Sequence, residues 1–405
     1  MHVLDLSIGC IFLYFITNRY CYKTVRDAAF NQIHLAINEP KMSLSADNDL
    51  TERPIDCRKK EFNENHDASP ASISQDDVNT GRTSSDWGNL PHVVLVNIFE
   101  NLEEATLLLA QYTCKRWYDV IHHSASLWRE KSFRFSGVDP RGLTHAPYKF
   151  ATQFTKTFGK YLQTLEFNLF NPVSSSVCKK FQKCLKVCLN NLVKNKAKVV
   201  ELSIPHLQLD RWQWMLYRED FCSILAAFFR RGQHTIEIMR LEGARAYFDD
   251  GYKVLYAMGY NTGATIVDLN IEDMFSSRQP IFEIPQFVGC FKNFPRLESL
   301  IMNYSYLSED LLETLANALQ YSSLMQLLLK VVQHEPHDQV IWGHSWRALT
   351  KQCPDLRVEV LFQRVLTFDD HFRILLQQIP LSGVSFVGSW IGCTNPWMMW
   401  LSLWF

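Results

Sequence analysis

Residues 90–102 read LPHVVLVNIFENL, and this stretch decides how the ordered part of the chain begins. Pro91 suits the first turn of a helix, where its missing N–H has no partner to lose. Val94, Leu95, Ile98, Phe99 and Leu102 then recur at helical spacing and form one apolar stripe. The stretch places no acid, base or nucleophile for chemistry; its apolar residues are arranged to be gripped. A second helical stretch, Ala105 to His122, carries Leu108, Leu109, Tyr112, Trp117 and Ile121, with Cys114 beside them. A third element centres on Leu127 and Trp128. Three short helices in roughly forty-five residues make a small core that is marginal alone.

Around this nucleus, 405 residues leave room for a long repeat array. The composition, 47% hydrophobic and 20% charged, is that of a globular chain, and the net charge of −1 gives no overall attraction to nucleic acid or anionic membranes. Eleven cysteines show no C-x-x-C and no zinc spacing, which predicts reduced thiols and an intracellular protein, cytoplasmic or nuclear. Cys184 and Cys188, four apart on a helix, are expected to be packing residues.

Residues 1–42 form an apolar N-terminal extension. Its run from Leu6 to Ile16 is shorter than the roughly 20 residues needed to span a bilayer, and its basic residues, Arg19, Lys23 and Arg26, follow the run instead of preceding it. Met42 is an alternative start. Residues 43–86 hold ten acidic against five basic residues and one aromatic, Phe62. Such a linker cannot bury enough apolar surface to offset its chain entropy and is expected to be disordered.

After Phe133 a template L-x-x-L-x-L recurs. It reads Leu162-Leu165-Phe167, Val199-Leu202-Ile204, Ile236-Met239-Leu241, Ile266-Leu269-Ile271, Leu297-Leu300-Met302, Leu324-Leu327-Leu329, Cys353-Leu356-Val358 and Leu381-Val384-Phe386. The first residues are spaced by 37, 37, 30, 31, 27, 29 and 28. Helical stretches lie between, the clearest from Ser308, a candidate cap, through Leu311, Leu312 and Leu315. Another begins at Asp369-Asp370. A strand plus a helix at this period predicts an α/β leucine-rich-repeat solenoid over 134–388, in which stacking builds the core. The asparagine or cysteine usual eight residues after the first leucine is missing: Phe170, Leu207, Ala244, Met274, Ser305, Val332, Leu361 and Ser389 stand there. Irregular repeats without a buried side-chain ladder are therefore expected. Residues 389–405, GSWIGCTNPWMMWLSLWF in their setting from Gly388, are a Trp-rich tail without a charged side chain, apolar where a solenoid cap is polar. The expectation is an uncapped array.

The order Leu90-Pro91, Ile98-Phe99, Leu102, Cys114-Lys115-Arg116-Trp117 and Leu127-Trp128-Arg129 resembles the F-box motif, placing an F-box at 87–133. Leu102-Glu103-Glu104-Ala105-Thr106 departs from it where an Asp-Leu pair is more usual. The resemblance implies docking on the Skp adaptor of a cullin-RING ubiquitin ligase through Leu90, Pro91, Ile98, Phe99 and Leu102, and a solenoid that binds a protein substrate. It also implies that catalysis belongs to other subunits, with no cofactor. Further segments, Phe158-Gly159-Lys160-Tyr161-Leu162, Leu269-Asn270-Ile271-Glu272-Asp273 and Pro336 to Trp346, resemble the same family.

The chain lacks H-E-x-x-H, G-x-S-x-G and a P-loop. His334 and His337 have no third metal ligand at suitable spacing, and Asp210-Arg211 reads as a local ion pair. No basic stripe or repeating stacking array points to nucleic acid. Outward positions of the first four repeats include Glu166, Glu201, Arg240, Glu242, Asp268, Asn270 and Glu272, five acids against one base. They make a candidate face for a basic patch on the substrate. Competing readings are an F-box scaffold without ligase activity and a membrane-tethered docking protein.

Overall fold

A computed structural model describes residues 90–138, 145–231, 235–276, 279–365, 368–375 and 378–388. The N-terminal extension, the linker and the Trp-rich tail lie outside the described residues. Two compact units divide between His123 and Ser124. No described helix is long and apolar enough to cross a membrane.

In the first unit, three helices follow the apolar pattern: α1 (His92–Glu100), α2 (Glu104–Ala110) and α3 (Lys115–His123). Pro91 stands just before α1, and its carbonyl accepts from Leu95 N at 3.1 Å. The stretch 105–122, expected as one helix, is two. Tyr112 and Thr113 donate back to Leu109 and Ala110 in tight turns, and Tyr118 N to Cys114 O starts the next helix. Leu95, Phe99, Leu107, Ala110, Val120 and Ile121 form the core. Glu104 occupies the first turn of α2, where a carboxylate meets the positive end of the helix dipole. The departure from the usual Asp-Leu pair is thus compatible with a helix at this point.

The second unit is a nine-stranded parallel sheet in sequential order. Its strands are β1 (Glu130–Ser136), β2 (Thr164–Phe170), β3 (Glu201–Ser203), β4 (Ile238–Arg240), β5 (Asp268–Asn270), β6 (Ser299–Asn303), β7 (Gln326–Val332), β8 (Arg357–Gln363) and β9 (Leu381–Val387). Helices fill the crossovers: α4 (Ala146–Phe158), α5 (Ser175–Lys194), α6 (Arg218–Arg230), α7 (Phe248–Thr262), α8 (Pro285–Cys290), α9 (Glu309–Ala318), α10 (Gly343–Gln352) and α11 (Phe368–Leu375). This is the strand-helix solenoid expected from the period. Ser308 caps α9 as expected, its hydroxyl accepting from Leu311 N at 3.1 Å.

Register makes the core. Leu165, Leu202, Met239, Leu269, Leu300, Leu327 and Val358 are lateral neighbours on successive strands, all fully buried. The seventh repeat corrects the template. Val358, not Leu356, stands beside Leu327, and Leu356 is half-buried, because the strand starts only at Arg357. In the eighth, Val384 pairs with Val360 across a register shift. The solenoid also starts before residue 134. β1 pairs with β2 through Phe133 opposite Phe167, whose rings stack at 5.4 Å. Trp128 precedes β1 in a 3-10 turn and stacks on Phe158 at 4.1 Å.

Beyond β3, β4 and β5 the main chain supplies a ladder where side chains were not expected to. His206, Gln208 and Leu209 donate to the carbonyls of Glu242, Gly243 and Ala244 at 2.7, 3.0 and 2.8 Å. Gly243, Arg245 and Ala246 repeat this onto Glu272, Asp273 and Met274 at 2.7, 2.8 and 2.8 Å. The turns need left-handed residues, here His206, Gln208, Gly243, Arg245 and Asp273. Gly243 has φ 69°, and a Cβ there would lie 2.8 Å from His206 Nδ1 and 3.2 Å from its Cα. Gly243→Ala is expected to cost about 1–3 kcal/mol in chemical denaturation; an unchanged midpoint would contradict the close approach.

Candidate functional site

In the first unit, α1 presents its stripe unevenly. Phe99, expected to be exposed for an adaptor, is 1% exposed and meets Trp117 edge-on at 5.2 Å. It is a core residue, because the α1 to α3 packing turns its side of the helix inward. Pro91 is exposed, and Leu90, Ile98 and Leu102 are half-buried. Val94 is 41% exposed and completes a stripe Pro91, Val94, Ile98, Leu102 at helical spacing. Periodicity put Val94 on the apolar side but could not show that the core stops short of it. Arg116 donates to the Leu90 carbonyl and so holds the start of α1.

In the second unit, the seven outward residues of the sheet do not form a bare acidic strip. Arg240 lies between two acids, with Nε 3.2 Å from Glu201 and Nη2 3.0 Å from Asp268. Glu166 lies half-buried beside Asn168 at 3.4 Å. Asn270 is buried and turns its side-chain oxygen onto Glu272 N at 3.0 Å. Burial pushes the Glu242 carboxyl up from its ordinary value. Glu272 joins Lys330, a residue the sequence did not single out. Lys330 Nζ is 2.6 Å from both Glu272 and Asp273. Burial works against its charge, but the two carboxylates outweigh burial and hold its pKa up. Asp210 pairs with Arg245 of the next repeat at 2.7 Å, not with Arg211.

Lys330 borders a buried polar cluster, also missed by the sequence because its members come from three successive repeats and meet only when these stack. Asn303, opposite Lys330, accepts from Asp273 N at 2.6 Å. Its Nδ2 donates to Asp273 Oδ1 at 2.8 Å and to Glu335. Ser305 donates to Glu335 at 3.0 Å. Asn303 lies two residues before the position usual for a ladder asparagine, so one side-chain bridge exists where none was expected. Burial, reinforced by the Asp273 charge, raises the Glu335 carboxyl from 4.5 to about 7. His337 is buried near the Tyr304 ring, with centroids 6.1 Å apart. Among the described residues no group of three or more His, Cys, Asp or Glu could hold a metal ion.

A family model described as F-box-like matches residues 87–134. The chain carries an F-box domain. Over a longer span it is similar to F-box/LRR-repeat protein 21 of Mus musculus, at 24% identity over 299 residues, covering 72% of this chain and 63% of that protein. The Ovis aries protein of the same name is 24% identical over 285 residues, and the Bos taurus one 25% over 288, each covering 68% of this chain and 60% of the relative. The matched region thus spans about three fifths of the length of these relatives. The F-box match and the parallel strand-helix sheet agree with the architecture expected from motif and period.

Glu335 gives a pH signature. Its folded pKa is above its unfolded value, so between pH 4.5 and about 7 the folded state holds a proton that the unfolded state has lost. Its contribution to stability is complete below that window and falls by about 2–4 kcal/mol as pH rises through it. Glu335→Gln should flatten this part of the stability curve, measured by urea unfolding across the window. An unchanged slope would show that Glu335 ionises normally.

Proposed function

We propose that this chain is the substrate-recognition subunit of a Skp-cullin-F-box ubiquitin ligase. The observation that carries the reading is the F-box match over 87–134 on a helical unit that leaves an apolar stripe on α1 partly uncovered. Pro91, Val94, Ile98 and Leu102, with Leu90, would contact the Skp adaptor, while Phe99 holds the helix in place. The adaptor would link the chain to a cullin-RING ligase. The solenoid would hold a protein substrate near the ubiquitin carrier, so its contribution is proximity and not bond chemistry.

The open sheet face, with Glu166, Glu201, Arg240, Glu242, Asp268, Asn270 and Glu272, is the proposed substrate side. Because Arg240 and Lys330 already occupy its centre, a basic patch on the substrate would have to exchange with these internal pairs. Segments from Phe158 to Leu162 and from Pro336 to Trp346 also resemble F-box only protein 39, which supports a repeat-bearing receptor. Free cysteines, including Cys178, Cys184, Cys188 and Cys222, favour a reducing intracellular compartment.

The test separates surface from core. Val94→Asp with Ile98→Ser should abolish co-purification with the Skp adaptor while circular dichroism and the thermal midpoint stay near wild type. Phe99→Ala should instead destabilise the helical unit by about 3–5 kcal/mol. Full adaptor binding by the double variant would overturn the assignment.

A further inference from the structure

The helix layer over the first repeats carries a charge imbalance that the overall charge of −1 conceals. Residues 145–163, 171–200 and 221–231 cover α4, α5, most of α6 and the turns behind α4 and α5, and they contain no Asp or Glu. The exposed side chains of α5 are Ser176, Lys179, Lys183, Lys186, Val187 and Lys194, and exposed Lys196 and Lys198 follow in the turn toward β3. The expectation that the chain holds no basic stripe is corrected here: this one lies on a single helix face, outside the leucine template. None of these lysines is ion-paired among the described residues. Lys179, Lys183 and Lys186 follow one another at helical-turn spacing, where like charges repel. The helix dipole favours Lys194 in the last turn, but it gives no reason for Lys183 and Lys186 in the middle.

Neighbouring helices extend the stripe sideways. Asn191 Nδ2 donates to Thr152 O at 3.1 Å and Asn195 Nδ2 to Lys156 O at 3.2 Å, so the end of α4, with exposed Lys156 and Lys160, lies beside the end of α5. On the other side Arg231, at the end of α6, donates to Asn190 Oδ1. Between α5 and α6 opens a hollow of about 50 Å³. Leu189, Ile224, Ala227 and Phe228 line it, and exposed Lys186 and Arg231 stand at its edge. Acids return at the N-terminal end of α6, where Glu219 and Asp220 are exposed and Glu219 takes Lys253 at 3.7 Å. Lys179 belongs to that balanced end, over the Tyr217 ring at 6.0 Å. The next acid in the chain, Glu237, is exposed just before β4. The uncompensated stretch therefore runs from Lys183 to Lys198.

We propose that α5, flanked by the ends of α4 and α6, is a docking surface for an acidic protein segment, which sets one aliphatic side chain into the hollow and its carboxylates against Lys183, Lys186, Lys194 and Arg231. Charge complementarity selects a polyanion, and the hollow selects among polyanions. A pit of this size with an apolar lining takes the end of a valine or leucine side chain, which neither a phosphate backbone nor a lipid headgroup offers. α5 is packed between two helices and cannot enter a nucleic-acid groove, and its exposed side has no aromatic ring on which a base could stack. Its large apolar residues, Phe181, Leu185, Leu189 and Leu192, are buried in the core and are not free to enter a bilayer interface. Side chains on one side of an extended segment recur at about 6.7 Å. Lysines one helical turn apart recur at about 4.5–6 Å, so alternate acids can meet successive lysines. The surface lies on the helix side of the sheet, away from the proposed substrate face, and the inference does not depend on the receptor reading.

The test uses the full chain and three labelled peptides of one length. The first has glutamates at alternate positions around a central leucine, the second replaces the leucine by serine, and the third replaces the glutamates by glutamine. In fluorescence anisotropy the first should bind, more weakly as salt rises. The serine peptide should bind less tightly, and the glutamine peptide about tenfold less tightly or more. Lys183→Gln with Lys186→Gln should weaken the first peptide by about tenfold at an unchanged thermal midpoint. Ala227→Leu, which fills the hollow, should bind the leucine and serine peptides alike. Lys351→Gln, which removes an exposed lysine from α10, should leave binding unaltered. An RNA duplex of about 16 base pairs and vesicles with about one-third phosphatidylserine should bind more weakly than the first peptide. Tighter binding of the duplex or the vesicles, equal binding of any two of the peptides by the wild type, or binding of none would overturn the proposal. So would undiminished binding by the double lysine variant, a leucine preference that persists in Ala227→Leu, or an equal loss from Lys351→Gln.

Discussion

The lateral contact between inner residues of successive strands is what the solenoid depends on. Leu202, Met239 and Leu269 belong to strands of only three residues, each too short to persist by its own hydrogen bonds. Each becomes stable because the strands on both sides extend the ladder and the helices close over one face. The same dependence explains the ion pairs of the outward sheet face. Once strands stack in register, outward residues also stack, and acids on neighbouring repeats repel unless a base stands between them. Arg240 between Glu201 and Asp268, and Lys330 against Glu272 and Asp273, answer that constraint.

How far this could be read from sequence follows from which interactions are local. The Ser308 cap and the leucines of α9 lie within one turn of each other and were legible. So was the inner row of six repeats, because side-chain alternation along a strand fixes which residues face inward. The seventh repeat failed at Leu356 and Val358, both apolar and two apart, so the template fitted either; only pairing with β7 distinguishes them. The F-box stripe was likewise visible as a stripe. Which edge of it enters the core depends on Trp117 in another helix, so Phe99 is buried while Val94 stays exposed.

The missing asparagine ladder shows two different solutions to one need. Backbone groups leaving the strands must be paired. Around β3, β4 and β5 the main chain pairs with itself through left-handed turns, at the expense of conformational freedom at Gly243. Around β6 the chain instead uses Asn303 with Asp273 and Glu335, and thereby buries one carboxylate, that of Glu335. The first solution constrains which residues can be tolerated; the second makes the fold answer to pH. Neither leaves a trace in the leucine spacing.

The F-box match runs to residue 134, yet the compact helical unit ends at His123, and Trp128 and β1 belong to the sheet. Motif and folding unit are therefore out of phase. A recombination event that moved the motif as a block would carry off the opening strand of its neighbour, uncovering Phe158 and leaving β2 with a bare hydrogen-bonding edge. Inheritance of the two parts is then coupled by shared residues. A chimera that preserves both must join its parents at the seam between His123 and Ser124, some ten residues upstream of the place where the motif match ends.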